Sequence, residues 1–466
     1  MGRLVAVSNR VSVPRRDAAP GGLAVGLQAA MRARNGLWFG WSGQTRPDAA
    51  GAAELVRKDG LTYATLDLTT EEYESFYLGF SNTVLWPLFH YFVDTFRYAD
   101  EQYESYVRVN RRFAAELAQL LRADDLVWVH DYHLIPLAQQ LREAGLRQRM
   151  GFFLHIPFPN IEVLRILPVY GELLRSLLHY DLLGFQTDND LKAFHSAVLH
   201  MWGPRCLKPD GSIVVGNRCI RAEVFPIGVD VDQVQREACE SLCSAQCQRM
   251  IAGLLDRKLM IGVDRLDYSK GLVERFRAYE RFLEMHPQNA NRVTFLQIAP
   301  LSRTDVRAYS TIRKELEQAT GRTNGRFADT DWTPIRYLNR NFPHDVLMAF
   351  LRSARVGIVT PVRDGMNLVA KEFLAAQDPA DPGVLVLSNL AGAARELTGA
   401  VQVNPYDMSG IAHAIQSSFT MPLAERRERH QRSLEVLRRN DIHAWHQRFL
   451  DTLAGVASPL PMAAPA

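Results

Sequence analysis

Cations and carboxylates recur directly after short apolar runs. In the second half of the chain, LMIGV is followed by Asp264-Arg265-Leu266-Asp267-Tyr268-Ser269-Lys270-Gly271, where a helical pattern opens. Arg265 and Lys270 put two cations near a helix N-terminus, which already favours anions. VTFLQI is followed by APLSR with Arg303, and VGIVT by PVRDGMNLVAKE, in which Asp364 and Gly365 precede a helical run carrying Glu372. Free N–H groups at that helix start could hold a diphosphate. Glu372, in the second turn, could accept both hydroxyls of a ribose. Taken singly, each charge reads as a surface salt bridge. Together, three cations and two carboxylates behind strands of one half shift the balance toward a nucleotide-sugar or sugar-phosphate site.

The first half has a different chemistry. Arg10 closes the run LVAVSNR, and Gly21 and Gly22 lead into an apolar helical pattern. Glycines before a helix let backbone N–H groups approach a phosphate, although this signal is weak alone. No GxGxxG and no GxxxxGK[ST] occurs, so dinucleotide and P-loop readings lose their main support. LVWVH leads into Asp131 within His130-Asp131-Tyr132-His133; a hydroxyl-binding carboxylate beside packing histidines is more economical than a metal cluster. GFFLH places His155 before the proline-fixed loop IPFP. Trp41, Tyr77 and Trp86 lie in LWFGWSG, SFYLGFSN and NTVLWPLFHY. Sugars expose apolar C–H faces, so aromatic walls with a few polar groups suit them. Trp38 reads as ordinary core. The DxDxV pattern at Asp230 is interrupted upstream by Pro226 and Gly228 and reads as linker, not as a phosphatase motif.

The elements that must position these groups are short, largely apolar runs: 4–8, 126–130, 151–155, 182–186, 259–263, 293–298, 356–360 and 384–388. Such runs suit strands buried on both faces. Helical patterns between them, such as 103–121 and 272–285, predict parallel sheets covered by helices. A turn-rich stretch at 204–217 and a polar helical pattern at 234–255 separate two sets of strands. The expected fold is α/β, two doubly wound Rossmann-like domains facing across a deep cleft, with ligands beyond the carboxyl ends of the strands. The expected domains are residues 1–229 and 230–454, with the last helix able to pack back on the first. Residues 455–466, GVASPLPMAAPA, form a frayed tail.

Composition bounds the rest. In 466 residues, 54 Lys and Arg against 51 Asp and Glu leave a formal charge of +3, which predicts neither a nucleic-acid nor a membrane surface. Five cysteines are no disulfide scaffold. Cys239, Cys243 and Cys247 recur every four residues, which on a helix would put reduced thiols on one face. The arginine-dense stretch 423–439 reads as a solvated helix face. The opening MGRLVAVSNR has too short an apolar run for a signal peptide, and no transmembrane run follows; the expected location is the cytoplasm.

SNR, GGL, LWFGWSG, FSNTVLWPLFHY, VWVHDYHL, GFFLHIPFP, DLLGFQT, DRLDYSKGL, QIAPLSR and TPVRDGMNLVAKEF occur in that order. With these blocks the chain resembles the trehalose-6-phosphate synthases, retaining GT-B glucosyltransferases of glycosyltransferase family 20, from about residue 3 to residue 450. The resemblance implies transfer of glucose from UDP-glucose to the anomeric oxygen of glucose 6-phosphate, giving α,α-trehalose 6-phosphate and UDP. It implies that Arg265 and Lys270 meet the donor diphosphate and that Gly365, Met366, Asn367, Leu368 and Val369 approach it at a helix start. Glu372 would hold the ribose, Asp364 and His155 the glucosyl hydroxyls, Phe342 would lie near the uracil, and Gly21 and Gly22 would close over the donor. Arg10, Tyr77 and Arg303 would bind the acceptor's 6-phosphate; Asp131, Trp41 and Trp86 its ring; Trp86 and Ile156 would select its anomer. No metal or other cofactor is implied, and the expected catalytic set is Arg265, Lys270, Asp364 and His155.

The resemblance further implies a homotetramer and a separate phosphatase acting on the product, since no phosphatase domain follows. The residues alone are compatible with UDP, ADP or GDP. Rival readings are a glucosylglycerol-phosphate synthase or related transferase, a pseudo-glycosyltransferase joining cyclitols, a catalytically silent sugar-phosphate sensor, and last a glycosidase, which needs paired carboxylates. The intact cation and aromatic sets favour the synthase.

Overall fold

The computed structural model describes residues 2–11, 13, 27–28, 31–32, 34–48, 51–301 and 307–456. The chain divides into two compact units, Met1–Pro226 with His443–Ala466, and Ile227–Ile442.

The first unit contains strands β1 (Leu4–Arg10), β2 (Leu37–Arg46), β3 (Glu54–Lys58), β4 (Leu61–Thr69), β5 (Leu126–His130), β6 (Arg149–Phe153), β7 (Leu182–Phe185), β8 (Ile213–Val215) and β9 (Arg218–Val224). Their order in one sheet is β3-β4-β2-β1-β5-β6-β7-β9-β8. All neighbours from β4 to β9 are parallel; β3 and β8 add antiparallel edges. The second unit contains β10 (Lys258–Val263), β11 (Val293–Ile298), β12 (Ile335–Leu338), β13 (Val356–Val359), β14 (Val384–Ser388) and β15 (Val401–Val403). They form a parallel sheet in the order β12-β11-β10-β13-β14-β15. Both sheets are wound outward in two directions from a central strand, the Rossmann pattern. The chain reverses direction between β1 and β5 in one sheet and between β10 and β13 in the other. Crevices beyond the carboxyl ends at such reversals are where open α/β sheets bind ligands.

The reason for these strands is burial on both faces. β5, β7, β11, β13 and β14 are buried at every residue. The helix Leu272–Met285 covers one face of the second sheet, burying Leu272, Val273, Phe276, Tyr279, Phe282 and Leu283. Each such side chain contributes roughly 1.5–3 kcal/mol when fully buried. All eight expected apolar runs form strands. β2 and β4 were not anticipated as strands, because tryptophans, glycines and threonines interrupt their apolar runs. The edge strands β12 and β15 are only partly buried and so lack the fully apolar pattern.

Four expectations need correction. The pattern at 234–255 is not one helix: Val231–Glu240 ends, a 3₁₀ turn spans Ser241–Cys243, and Ala245–Ala252 restarts behind Ser244, whose hydroxyl accepts from the Cys247 N–H. The three cysteines therefore do not share one helix face; Cys239 and Cys243 are exposed and Cys247 is buried. Asp230 is not linker but the N-cap of Val231–Glu240, its carboxylate accepting from the Gln233 N–H at 2.9 Å. The helix Leu423–Arg439 forms, but its face is not wholly solvated: Arg426 is buried and pairs with Asp381 at 2.7 Å. The last helix, Ile442–Gly455, brings Trp445 and Phe449 to 4.9 and 4.5 Å from the Trp128 ring of β5. Residues 457–466 lie outside the described residues.

Candidate active site

Of the residues expected to meet the donor, Lys270, Asp364 and the stretch from Gly365 to Glu372 lie in the second unit, where β10 and β13 diverge. Lys270 follows β10 on the short turn Tyr268–Lys270, and Asp364 follows β13. Lys270 Nζ donates to Asp364 Oδ2 at 2.6 Å, and Asn367 Nδ2 donates to the same oxygen at 3.0 Å. The two loops are laced together, the Val362 N–H donating to the Ser269 carbonyl at 2.9 Å. Asn367 occupies a left-handed conformation, φ 76°, and caps the helix Leu368–Ala376 by accepting from the Ala370 N–H. A helix leaves its first N–H groups without intrahelical carbonyls. Gly365, Met366, Leu368 and Val369 surround that start, and Glu372 projects from its second turn. A cation, a helix N-terminus and a carboxylate thus converge on the reversal point, a suitable cradle for a diphosphate and a sugar.

Two devices hold this cradle. Gly271 has φ +61°, and a Cβ there would collide with the Thr360 carbonyl oxygen at the end of β13. Gly271→Ala is expected to destabilise the protein by about 1–2 kcal/mol from backbone strain alone, read as a lowered urea midpoint; an unchanged midpoint would count against the close approach. The second device is Arg275, fully buried on the helix behind Lys270. It donates to Asp264 Oδ2 at 2.6 Å, Thr360 Oγ1 at 3.0 Å, Gln297 Oε1 at 2.9 Å and the Lys270 carbonyl at 3.2 Å. Burial pushes the Asp264 carboxyl up, and Arg275 counteracts it. Arg275 escaped the sequence reading because a charged residue in LVERFRAYERFLEM looks like helix surface.

Arg265 is exposed on the loop behind β10. Phe342 lies beyond β12, where its ring meets Phe350 edge-on at 5.3 Å and carries the Arg340 guanidinium at 4.5 Å. It helps line a pocket of about 230 Å³ with Leu338 and Leu296. Arg303, Gly21 and Gly22 lie outside the described residues.

Of the residues expected to meet the acceptor, Arg10, Trp41, Tyr77, Trp86 and Asp131 lie in the first unit, whose strand order reverses between β1 and β5. Arg10 ends β1, exposed, with its guanidinium 5.9 Å from the Trp41 ring of β2. Gly43, φ +89°, makes room for it: a Cβ there would lie 2.7 Å from Arg10 Nε. Trp41 and Trp86 are each 4% exposed, so only an edge of either ring reaches solvent. Trp41 packs on Tyr77 at 5.4 Å and Tyr77 stacks on His133 at 5.9 Å. His133 meets Tyr132 at 3.9 Å, and Tyr132 meets Trp86 at 5.8 Å. The candidates Arg10, Trp41, Tyr77 and Trp86 are therefore links of one chain. Tyr73, 5.7 Å from Trp41, belongs to it and was missed, as was the packing role of Tyr132; His133 packs as its place beside Asp131 led us to expect. Tyr73 and Tyr77 lie on a thirteen-residue π-helix, Tyr73–Leu85. That wide turn is rare and marks functional segments more often than ordinary ones. Asn82 donates to the Tyr77 carbonyl at 2.7 Å and accepts from the Tyr132 hydroxyl at 2.8 Å, tying the π-helix to the β5 loop.

Asp131 has φ 77° and ψ 166°, a conformation costly for a residue with a Cβ and characteristic of functional sites. The strain is held from both ends: its N–H donates to the Phe153 carbonyl at 2.8 Å, and its carboxylate accepts from the His155 N–H at 3.2 Å. His155 Nε2 lies 3.1 Å from His130 Nδ1. Burial pushes His155 down to about 3 and His130 well below its usual range, so both rings are neutral at physiological pH. A neutral imidazole can exchange hydrogen bonds with a hydroxyl without adding charge. Ile156 beside it is buried, 6% exposed. Among the described residues, no group of three or more His, Cys, Asp or Glu could hold a metal ion, and no helix is long and apolar enough to cross a membrane.

The model of glycosyltransferase family 20 matches residues 7–455. The chain is 48% identical over 457 residues to the trehalose-6-phosphate synthase of Citrobacter koseri, covering 98% of this chain and 96% of that protein. Among solved structures it resembles an α,α-trehalose-phosphate synthase (UDP-forming) from Burkholderia vietnamiensis, with TM-score 0.94, 49% identity, and 98% and 99% of the two chains covered. The corresponding Burkholderia xenovorans protein, in complex with glucose 6-phosphate, matches with TM-score 0.94 and 49% identity over 97% of this chain and 100% of that one.

Proposed function

The chain belongs to glycosyltransferase family 20, and from that premise we propose that it transfers glucose from UDP-glucose to glucose 6-phosphate, with retention, giving α,α-trehalose 6-phosphate and UDP. The observation that carries this reading is the match to trehalose-6-phosphate synthases over nearly the whole of both chains. The bond from glucosyl C1 to the UDP oxygen breaks as the bond to the acceptor's anomeric oxygen forms on the same face. The acceptor's proton passes to the departing phosphate oxygen, so no side chain acts as a conventional base. Lys270, Arg265 and the N–H groups at Gly365–Val369 neutralise the leaving diphosphate; fixed charges of this kind stabilise a transition state without reorganising. Asp364 and His155 orient the glucosyl hydroxyls, and Glu372 the ribose. Arg10, Tyr77 and Arg303 hold the 6-phosphate; Asp131, Trp41 and Trp86 the acceptor ring; Trp86 and Ile156 its anomer. Gly21 and Gly22 cover the donor, and Phe342 lies near its base. The Lys270–Asp364 pair supports this assignment: an ammonium has three donors and can keep its carboxylate while meeting a phosphate.

The same reading makes the enzyme metal-independent. It also makes the enzyme a cytoplasmic homotetramer in the synthesis of a stress-protective, osmoprotective sugar, its product passing to a separate phosphatase. The test is UDP release from UDP-glucose in EDTA, with glucose 6-phosphate or glycerol 3-phosphate as acceptor. Release with glucose 6-phosphate alone, together with a phosphorylated non-reducing disaccharide, is the expected result. Release with glycerol 3-phosphate would make it a glucosylglycerol-phosphate synthase. Saturable sugar-phosphate binding without release from UDP-, ADP- or GDP-glucose would make it a sensor.

A further inference from the structure

The carboxylate assigned to the ribose is itself part of a charged sandwich. His344 opens the helix His344–Arg352, which packs against Val231–Glu240 and Leu368–Ala376. Its Nδ1 lies 2.6 Å from Glu237 Oε2 and its Nε2 lies 3.5 Å from Glu372 Oε1. Glu237 is anchored in turn, its other oxygen accepting from Gln233 Nε2 at 2.7 Å. Asp345, next to His344, accepts from the Ser241 hydroxyl at 2.6 Å, which pins the start of that helix. The groups facing the ring are thus Glu237 from one helix and Glu372 from the other, with Asp345 engaged elsewhere on its own.

The chemistry of the ring follows from what flanks it. A neutral imidazole has one N–H and one lone pair. Between two carboxylates, its lone pair would face a negative oxygen. An imidazolium donates to Glu237, sets its charge 3.5 Å from Glu372 and so separates two like charges. Burial alone would lower the His344 pKa, but the charges of Glu372 and Glu237 and the hydrogen bond to Glu237 outweigh it and raise it to about 9.

We infer that His344 is a positioning residue for the donor: held by Glu237, its imidazolium fixes the Glu372 carboxylate for the ribose diol. This rests on the reading of Glu372 as the ribose group. Glu237 and His344 touch neither sugar nor diphosphate, so their effect is on donor affinity and not on the chemical step. With its pKa raised to about 9 in the folded protein, the ring stays cationic through neutral pH and loses its charge as pH rises through about 9. Donor affinity is expected to weaken over the same interval.

The experiment measures UDP affinity by calorimetry and KM for both substrates in the wild type and in His344→Gln, His344→Arg and Glu372→Gln. His344→Gln should raise the UDP dissociation constant and the UDP-glucose KM about tenfold, the loss of one charge-assisted contact, with kcat and the glucose 6-phosphate KM unchanged. In the wild type, UDP affinity should fall as pH rises through about 9; in His344→Arg, whose guanidinium does not titrate there, affinity should be restored and the fall should shrink to the part that ionisation of the uracil N–H causes in both proteins. If Glu372→Gln raises the UDP-glucose KM while His344→Gln does not, the positioning role is wrong and the ribose reading stands. If Glu372→Gln itself leaves donor affinity unchanged, the ribose reading fails. An equal rise in both KM values, or a wild-type profile flat through pH 10, also overturns the inference, and the latter needs no variant to fold.

Discussion

Lys270→Ala is expected to lower kcat by about 10²–10³-fold, the scale for removing one preorganised donor from a developing charge, while the protein remains folded. Lys270 Nζ sits 2.6 Å from Asp364 Oδ2, and the site that its turn helps to build includes the start of Leu368–Ala376. Its charge is delivered by a fixed turn and cannot be supplied by neighbouring solvent at the same position. The loss should fall mainly on kcat, because the leaving diphosphate gains charge in the transition state, whereas UDP-glucose already carries charge in the ground state and loses a smaller share of binding. Asp364 keeps its Asn367 contact at 3.0 Å, so the loop is not stripped of every partner. The check is steady-state turnover beside near-ultraviolet circular dichroism. A folded Lys270→Ala enzyme turning over within threefold of wild type would remove Lys270 from the mechanism.

Arg275→Met should produce the largest loss of stability, about 3–5 kcal/mol, the usual cost of deleting one member of a buried ion pair. The guanidinium is fully buried and joins the ends of β10, β11 and β13 through Asp264, Gln297 and Thr360. Without it, Asp264 is a buried carboxylate without its principal counterion. Its carboxyl, already pushed up by burial, would rise further, so the folded variant would bind a proton that the unfolded chain releases. The stability deficit should therefore shrink as pH falls and grow as pH rises. Urea unfolding at several pH values measures both effects. Asp264→Leu combined with Arg275→Met should recover much of the loss, because an apolar pair leaves no uncompensated charge. A single variant with a wild-type midpoint, or a deficit independent of pH, would contradict this account. Since Arg275 also holds the Lys270 carbonyl at 3.2 Å, residual activity should fall with stability.

The two sheets were legible because strands buried on both faces must be largely apolar along their length. LVWVH, VTFLQI and VLVLS are such runs, and the helix Leu272–Met285 followed from its own periodicity. The loops behind those strands were legible as sites for the same reason: a doubly wound sheet binds ligands at its carboxyl edge, so Arg10, Asp131, Lys270 and Asp364 stood out by position and chemical type. β12 and β15 were not legible, since partly buried edge strands mix polar and apolar residues. The split of 234–255 was hidden because Ser241 and Ser244 are tolerated inside a helical pattern, and only the packing decides that Ser244 caps a new one.

By itself, then, the sequence determined the two-sheet α/β plan, the family and the residue types at the strand ends. All of these depend on local periodicity or on contiguous blocks. The tertiary structure alone decided which charges are paired. Arg275 and Asp264 are eleven residues apart, Lys270 and Asp364 ninety-four, and His344 and Glu237 one hundred and seven. Whether a charged side chain is solvated or buried against a partner depends on which strands and helices become neighbours. That adjacency is a property of the strand order β12-β11-β10-β13 and of helix packing, and no local pattern encodes it.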